Sequence, residues 1–190
     1  QTDGGIHDLK PLGVLEPLNA LDSCVCMGAS IGAAIGMEKV GGSDKGSVAV
    51  IGDSTFLHSG ITGLVDAVYN KSHVTVIILD NRATAMTGGQ QHPATGLTLM
   101  GEKAGRVDIP ELVRAIGVKR IVQLDPYDYD LTLETIKTEM AAQEPSVIIT
   151  SRPCVLMPKR IMDEPYVVDS ELCNGCSACS RRPHSKQVIP

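Results

Sequence analysis

Along this chain apolar residues recur with two periods, and the switching between them outlines the fold. Residues 28–40, Gly-Ala-Ser-Ile-Gly-Ala-Ala-Ile-Gly-Met-Glu-Lys-Val, are small and apolar and run into Gly41-Gly42, which predicts a closely packed, buried helix with a glycine stop. Ser47–Ile51 is short and β-rich and ends at Gly52-Asp53. Gly60–Tyr69 then carries Ile61, Leu64, Val65 and Val68 at helical spacing. His73–Leu79 is a near-continuous β-branched run, as in a parallel strand covered on both faces, and it ends at Asp80-Asn81. Asp108-Ile-Pro-Glu supplies a cap and an early proline for a helix closing at Gly117. Lys119–Leu124 reads as a strand, residues 130–142 as an amphipathic helix and Ser146–Thr150 as another buried strand. This alternation predicts an α/β fold with a doubly wound, mostly parallel sheet.

Two stretches break the pattern. Arg82–Gly105 has little periodicity and many Gly, Thr and Pro residues, and a loop that long inside a compact domain is usually functional, so it is a candidate active-site loop. After Thr150 the composition shifts toward Pro, Arg and Met, which places a boundary near residue 160, with a main domain over 1–160 and an appendage over 161–190. A chain of 190 residues can carry one domain with a proper core and a short appendage.

Composition narrows the function classes. With 43% apolar and 21% charged residues and a net charge of −5, there is no electrostatic case for nucleic acid. The longest apolar runs, such as Val74–Leu79, fall far short of the roughly 20 residues that span a bilayer, so no membrane partner is expected. The first residues, Gln-Thr-Asp-Gly-Gly, lack the basic and apolar regions of a signal peptide. Of the six cysteines, three crowd into residues 173–179, which reads as a metal or redox site and not as a disulfide framework. The expected compartment is the cytoplasm, and Cys24 and Cys26 are expected to be buried small residues.

Ligands of open α/β sheets bind beyond the carboxyl ends of the strands, and two strand ends here finish in Gly52-Asp53-Ser54 and Asp80-Asn81. A carboxylate and an amide from adjacent loops suit Mg²⁺, which takes one or two carboxylates with phosphate oxygens and water. A diphosphate is the natural remaining ligand. Gly52 permits a tight turn, and the backbone N–H groups around Ser54 and Thr55 can receive phosphate oxygens near a helix start. Asp80 reads as a strand-end turn residue, while His58 and His92 divide evenly between loop structure and contact with cofactor or substrate.

Gly52-Asp53-Ser54, followed 28 positions after the Asp by Asn81, resembles the thiamine-diphosphate motif, with Ser54 where that motif has its second Gly. Thr87-Gly88-Gly89-Gln90 is similar to the loop that closes over the cofactor in 2-oxoacid:ferredoxin oxidoreductases. The strings Cys26-Met-Gly-Ala-Ser-Ile-Gly, Gly52-Asp-Ser-Thr-Phe-Leu-His-Ser-Gly and Asp80-Asn-Arg-Ala-Thr-Ala-Met-Thr-Gly-Gly-Gln look like the thiamine-binding half of the large α subunit in the indolepyruvate branch of that family. The resemblance covers most of residues 15–180. It implies Mg²⁺ on Asp53, Asn81 and the backbone carbonyl of Ala83, and thiamine diphosphate near Gly28, Ala29, Ser30, Gly52, Ser54, Thr55, Thr87 and Gly88.

Cys173-Asn-Gly-Cys176-Ser-Ala-Cys179 has the C-x₂-C-x₂-C spacing of a bacterial ferredoxin loop that holds a [4Fe-4S] cluster. The run is incomplete, because Ser180-Arg-Arg-Pro183 stands where x₃-C-P should follow. Empty thiols or a weak zinc site therefore remain open alternatives. In the resembled family thiamine serves as the electron sink for decarboxylation of a 2-oxoacid, the electrons pass to ferredoxin, and the acyl group leaves on coenzyme A. The resemblance further implies an oligomer, a separate pyrimidine-binding domain carrying the proton-handling Glu, and a second subunit. Two other functions share the Asp-to-Asn motif: a non-oxidative thiamine-dependent decarboxylase or synthase, which has no need of ferredoxin-type cysteines, and a catalytically silent cofactor-binding fragment.

Overall fold

The computed structural model describes residues 2–3, 21–41, 46–154, 170–171 and 173–176. Six parallel strands form its sheet: β1 (Thr2–Asp3), β2 (Cys24–Val25), β3 (Ser47–Gly52), β4 (Val74–Asp80), β5 (Arg120–Leu124) and β6 (Ser146–Ser151). Their order is β2-β1-β3-β4-β6-β5, and every described pair is parallel. The α helices are α1 (Ser30–Gly41), α2 (Asp53–Thr55), α3 (Ile61–Tyr69), α4 (Ile109–Ile116) and α5 (Tyr129–Met140). The α/β expectation therefore holds. The expected boundary near residue 160 lies outside the described residues, and so does most of the proposed ferredoxin-like appendage.

Strand pleating sends alternate side chains to opposite faces, and each face has its own cover. On one face Ala49, Ile51, Val74, Val76, Ile78, Val147 and Ile149 pack with Ile31 and Ala34 of α1, Phe56, Leu64 of α3 and Val113 of α4. On the other, Ile77, Leu124 and Ile148 pack with the partly buried Val48, Val50, Leu79, Val122 and Ile136, the last from α5. Residues of β4 are thus buried on both sides, as the β-branched run required. A buried hydroxyl pair, Ser146 Oγ donating to Thr75 Oγ1 at 3.2 Å, ties β6 to β4 at their amino ends.

Four expectations need correction. Helix α1 is not buried all round: Ser30, Ile31, Ala34 and Ile35 face the core, while Met37 and Val40 are exposed, because a single sheet face covers it. The helix expected from Gly60 starts at Asp53, passes through a π-helical turn over Phe56–Gly60 and continues as α3. That wider turn rotates the register, so Leu64 and Ala67 are buried and Val65 is exposed. In α5 the buried residue is the charged Glu139, held by Arg120 through two hydrogen bonds of 2.9 Å, while Leu131 and Leu133 are exposed. Cys26 is exposed and Cys24 only half-buried, because β2 is an edge strand of two residues and the chain leaves it at once.

Candidate functional site

The carboxyl ends of β3, β4 and β6 lie side by side, with Gly52 registered to Leu79 and Asp80 to Ser151. Asp53 follows β3 directly and opens α2, and the residue is 2% exposed. One oxygen, Oδ1, accepts from the Ser54 amide at 2.7 Å; the other, Oδ2, accepts from the Arg82 amide at 2.9 Å. The Arg82 amide also reaches Asp80 Oδ1 at 3.3 Å, and the Ser151 hydroxyl donates to Asp80 Oδ2 at 2.9 Å. One peptide N–H thus bridges two carboxyl groups. Arg82 turns it inward by adopting φ 58°, a left-handed conformation uncommon for a side chain of this size.

Electrostatics at this junction favour a cation. Burial pushes the Asp80 carboxyl above its ordinary pKa, the Ser151 hydroxyl pulls it back, and the charge and hydrogen bond of Asp53 raise it again. Neither Asp53 nor Asp80 has a salt bridge to Lys or Arg among the described residues. Two buried acids that share one backbone N–H and have no Lys or Arg salt bridge among the described residues are a costly arrangement that a bound divalent ion would relieve. A donor set of one carboxylate plus neutral oxygens suits Mg²⁺, whereas no group of three or more His, Cys, Asp or Glu side chains converges as a metal site among the described residues.

Asn81 and Ala83 complete the same rim. The side-chain oxygen of Asn81 accepts from the Ala83 amide at 3.0 Å, and its carbonyl accepts from the Cys154 amide at 2.9 Å, fixing the loop against the end of β6. Ala83 is buried, and Thr84 Oγ1 donates to Ser54 Oγ at 3.0 Å, joining the loop to α2. Beyond it the Thr-Gly-Gly-Gln segment closes on itself: Thr84 and Gln90 pair as an antiparallel bridge, and Gly88 and Gly89 take positive φ values of 115° and 77°. Thr87 and Gly88 lie exposed on this turn.

The remaining candidates fall into four groups. Gly28 sits at φ +86°, and a Cβ there would lie 2.1 Å from Ser59 Oγ, so the Gly28-Ala29-Ser30 turn packs directly on the π turn that follows Asp53. Ser54 and Thr55 begin α2, but the Ser54 amide is already bound by Asp53 and holds that carboxylate in place. Thr55 is buried. His58 is exposed on the π turn, whereas His92 is buried against Asp53. Cys173 and Cys176 are exposed, with the Cys176 amide donating to Asn174 Oδ1 at 3.1 Å and Gly175 at φ 70°; Cys179 lies outside the described residues.

Sequence reasoning missed Arg82, Thr84 and Ser151. Ser151 had a readable signal, since it ends the third parallel strand and the strand-end rule applies to it as to Asp53. Arg82 had none, because its contribution is a backbone N–H.

Fold and site together define a thiamine-diphosphate-binding α/β domain: the chain belongs to the family described as thiamine pyrophosphate enzyme, C-terminal TPP binding domain, whose pattern matches residues 4–150. It is similar to the indolepyruvate oxidoreductase subunit IorA of Methanothermobacter thermautotrophicus, 39% identical over 95% of this chain, and to that of Pyrococcus horikoshii, 40% identical over 88%. The chain spans 28% of the length of either relative. Among solved structures, 2-oxoglutarate:ferredoxin oxidoreductase from Magnetococcus marinus shares the fold with a TM-score of 0.64 at 15% identity, over 77% of this chain and 56% of that one. Among the described residues no helix is long and apolar enough to cross a membrane.

Proposed function

We propose that this chain is the diphosphate-holding part of a 2-oxoacid:ferredoxin oxidoreductase that converts indolepyruvate or another aryl pyruvate to an acyl-coenzyme A and passes the electrons to ferredoxin. The observation that carries this reading is the Asp53 carboxylate clasped by the Arg82 amide, which brings the ends of β3 and β4 to one buried point. The substrate class is suggested by the printed names of the IorA relatives.

Asp53, Asn81 and the Ala83 carbonyl hold Mg²⁺ in this reading, and Gly28, Ala29, Ser30, Gly52, Ser54, Thr55, Thr87 and Gly88 surround thiamine diphosphate. The cofactor, when bound, supplies the electron sink for decarboxylation. The chain's own residues bind and orient. The amides of Ser54 and Arg82 fix both oxygens of Asp53, so its charge is presented in one direction without reorganisation. Burial of Asp53 and Ala83 keeps water from competing for the ion. Cys173, Cys176 and Cys179 begin an iron–sulfur site that needs a fourth ligand, and the pyrimidine-binding partner supplies the proton-handling acid. Five free cysteines among the described residues accord with a reducing, cytoplasmic setting.

Calorimetric titration of thiamine diphosphate into this chain should give binding that requires Mg²⁺, and binding that is absent or indifferent to Mg²⁺ would refute the site. For the substrate, the parent protein supplied with coenzyme A and ferredoxin should prefer indolepyruvate or phenylpyruvate to pyruvate. A preference for pyruvate would overturn the aryl assignment.

A further inference from the structure

Resting on the metal-site reading above, we propose that His92 is a positioning residue: its buried imidazole, set against Asp53 Oδ2, holds that carboxylate and ties the active-site loop to it. His92 is 7% exposed, and its Nε2 lies 3.2 Å from Asp53 Oδ2 in a contact whose side chains are each 3% exposed. The ring is oriented from its other end, where the Ala94 amide donates to Nδ1 at 3.4 Å. With Nδ1 engaged by the Ala94 amide, Nε2 is the ring atom turned toward Asp53.

That Nε2 is buried with no hydrogen bond of acceptable alignment, although Asp53 Oδ2 is within reach. Such a group is costly unless a small movement completes the bond. Oδ2 accepts from Arg82 and Oδ1 from Ser54, and His92 lies against Oδ2, so three groups fix the direction in which the carboxylate is presented. The backbone of His92 also anchors its own turn, its carbonyl accepting from both the amide and the hydroxyl of Thr95 at 2.9 Å. The imidazole thus connects the segment after Gln90 to the proposed metal ligand, as partners behind a metal's ligands commonly do.

The test compares the unsubstituted chain with His92→Gln, which can keep an N–H near the Nε2 position, and His92→Phe, which keeps a ring but no donor. In His92→Phe the Mg²⁺ concentration giving half-maximal thiamine diphosphate binding should rise about tenfold or more, while in His92→Gln it should stay within about threefold of the parent. A purely structural role would weaken both variants alike and lower the melting temperature without changing the Mg²⁺ requirement, which would overturn the proposal. Should His92→Phe fail to fold, His92→Asn, whose shorter amide stops short of the Nε2 position, takes its place: a rise of about tenfold in the Mg²⁺ concentration supports the assignment, and an unchanged Mg²⁺ concentration sinks it. Equal Mg²⁺ dependence in His92→Phe and the parent would overturn this proposal alone. No Mg²⁺-dependent binding by the parent would overturn the cofactor reading beneath it.

Discussion

Replacing Asp53 by Ala and by Asn should separate the two tasks of this side chain, folding and cation binding. In Asp53→Ala the Ser54 amide loses its 2.7 Å acceptor, and the Arg82 amide keeps only Asp80 Oδ1 at 3.3 Å. Each buried amide left without a partner costs about 1–3 kcal/mol, but removing one of two neighbouring carboxylates relieves part of that, so the net loss should be about 2–4 kcal/mol. Asp53→Asn keeps one acceptor oxygen and also relieves the repulsion, and its stability should fall by about 1 kcal/mol or less. Both variants should lose Mg²⁺-dependent thiamine diphosphate binding, since a neutral amide cannot replace the charge. Denaturant unfolding without cofactor, followed by calorimetry, reads the two effects separately. If Asp53→Ala unfolds within about 0.5 kcal/mol of the parent, the amide argument is wrong; if Asp53→Asn binds the cofactor with undiminished Mg²⁺ dependence, the metal assignment is wrong.

Three further outcomes follow from the same structure. The raised pKa of Asp80 means that the folded chain holds a proton more readily than the unfolded chain, so the ionised carboxylate lowers stability above the folded pKa and this cost fades as pH falls toward the ordinary value of 3.8. Without cofactor, the parent should therefore gain stability relative to Asp80→Asn on acidification through that window, as read by urea titrations at several pH values; a parallel pH dependence would contradict the burial argument. Gly60→Ala would place a Cβ 2.7 Å from Ile51 Cδ1 and 2.9 Å from Phe56 Cδ2, both on buried side chains, and should lower stability by about 1–3 kcal/mol in thermal unfolding. Ile148→Ala, at a fully buried position of β6 facing the thinner core, should cost about 2–5 kcal/mol, and a loss below 1 kcal/mol would show that this face can collapse onto the gap.

The pattern of apolar residues was enough to read the principal strands and helices, because burial on a sheet or against a helix imposes a period that short-range sequence carries. The β-branched run before Asp80, the Asp108 cap with its proline and the Gly117 stop all appear where their residue types require. That the loops carrying Asp53 and Asn81 meet was legible for a related reason: the carboxyl ends of neighbouring parallel strands open onto one crevice, and the Arg82 amide reaches Asp53 there. The chain's composition and spacing thus determined the fold class and the address of the candidate site. Tertiary structure decided what lies around that address. It seated Ser151 beside Asp80 across 71 residues, turned the Arg82 amide between two acids, buried His92 against Asp53 and left Cys26 exposed. None of these follows from local periodicity, because each depends on which strand ends become neighbours and on backbone geometry that many sequences could share.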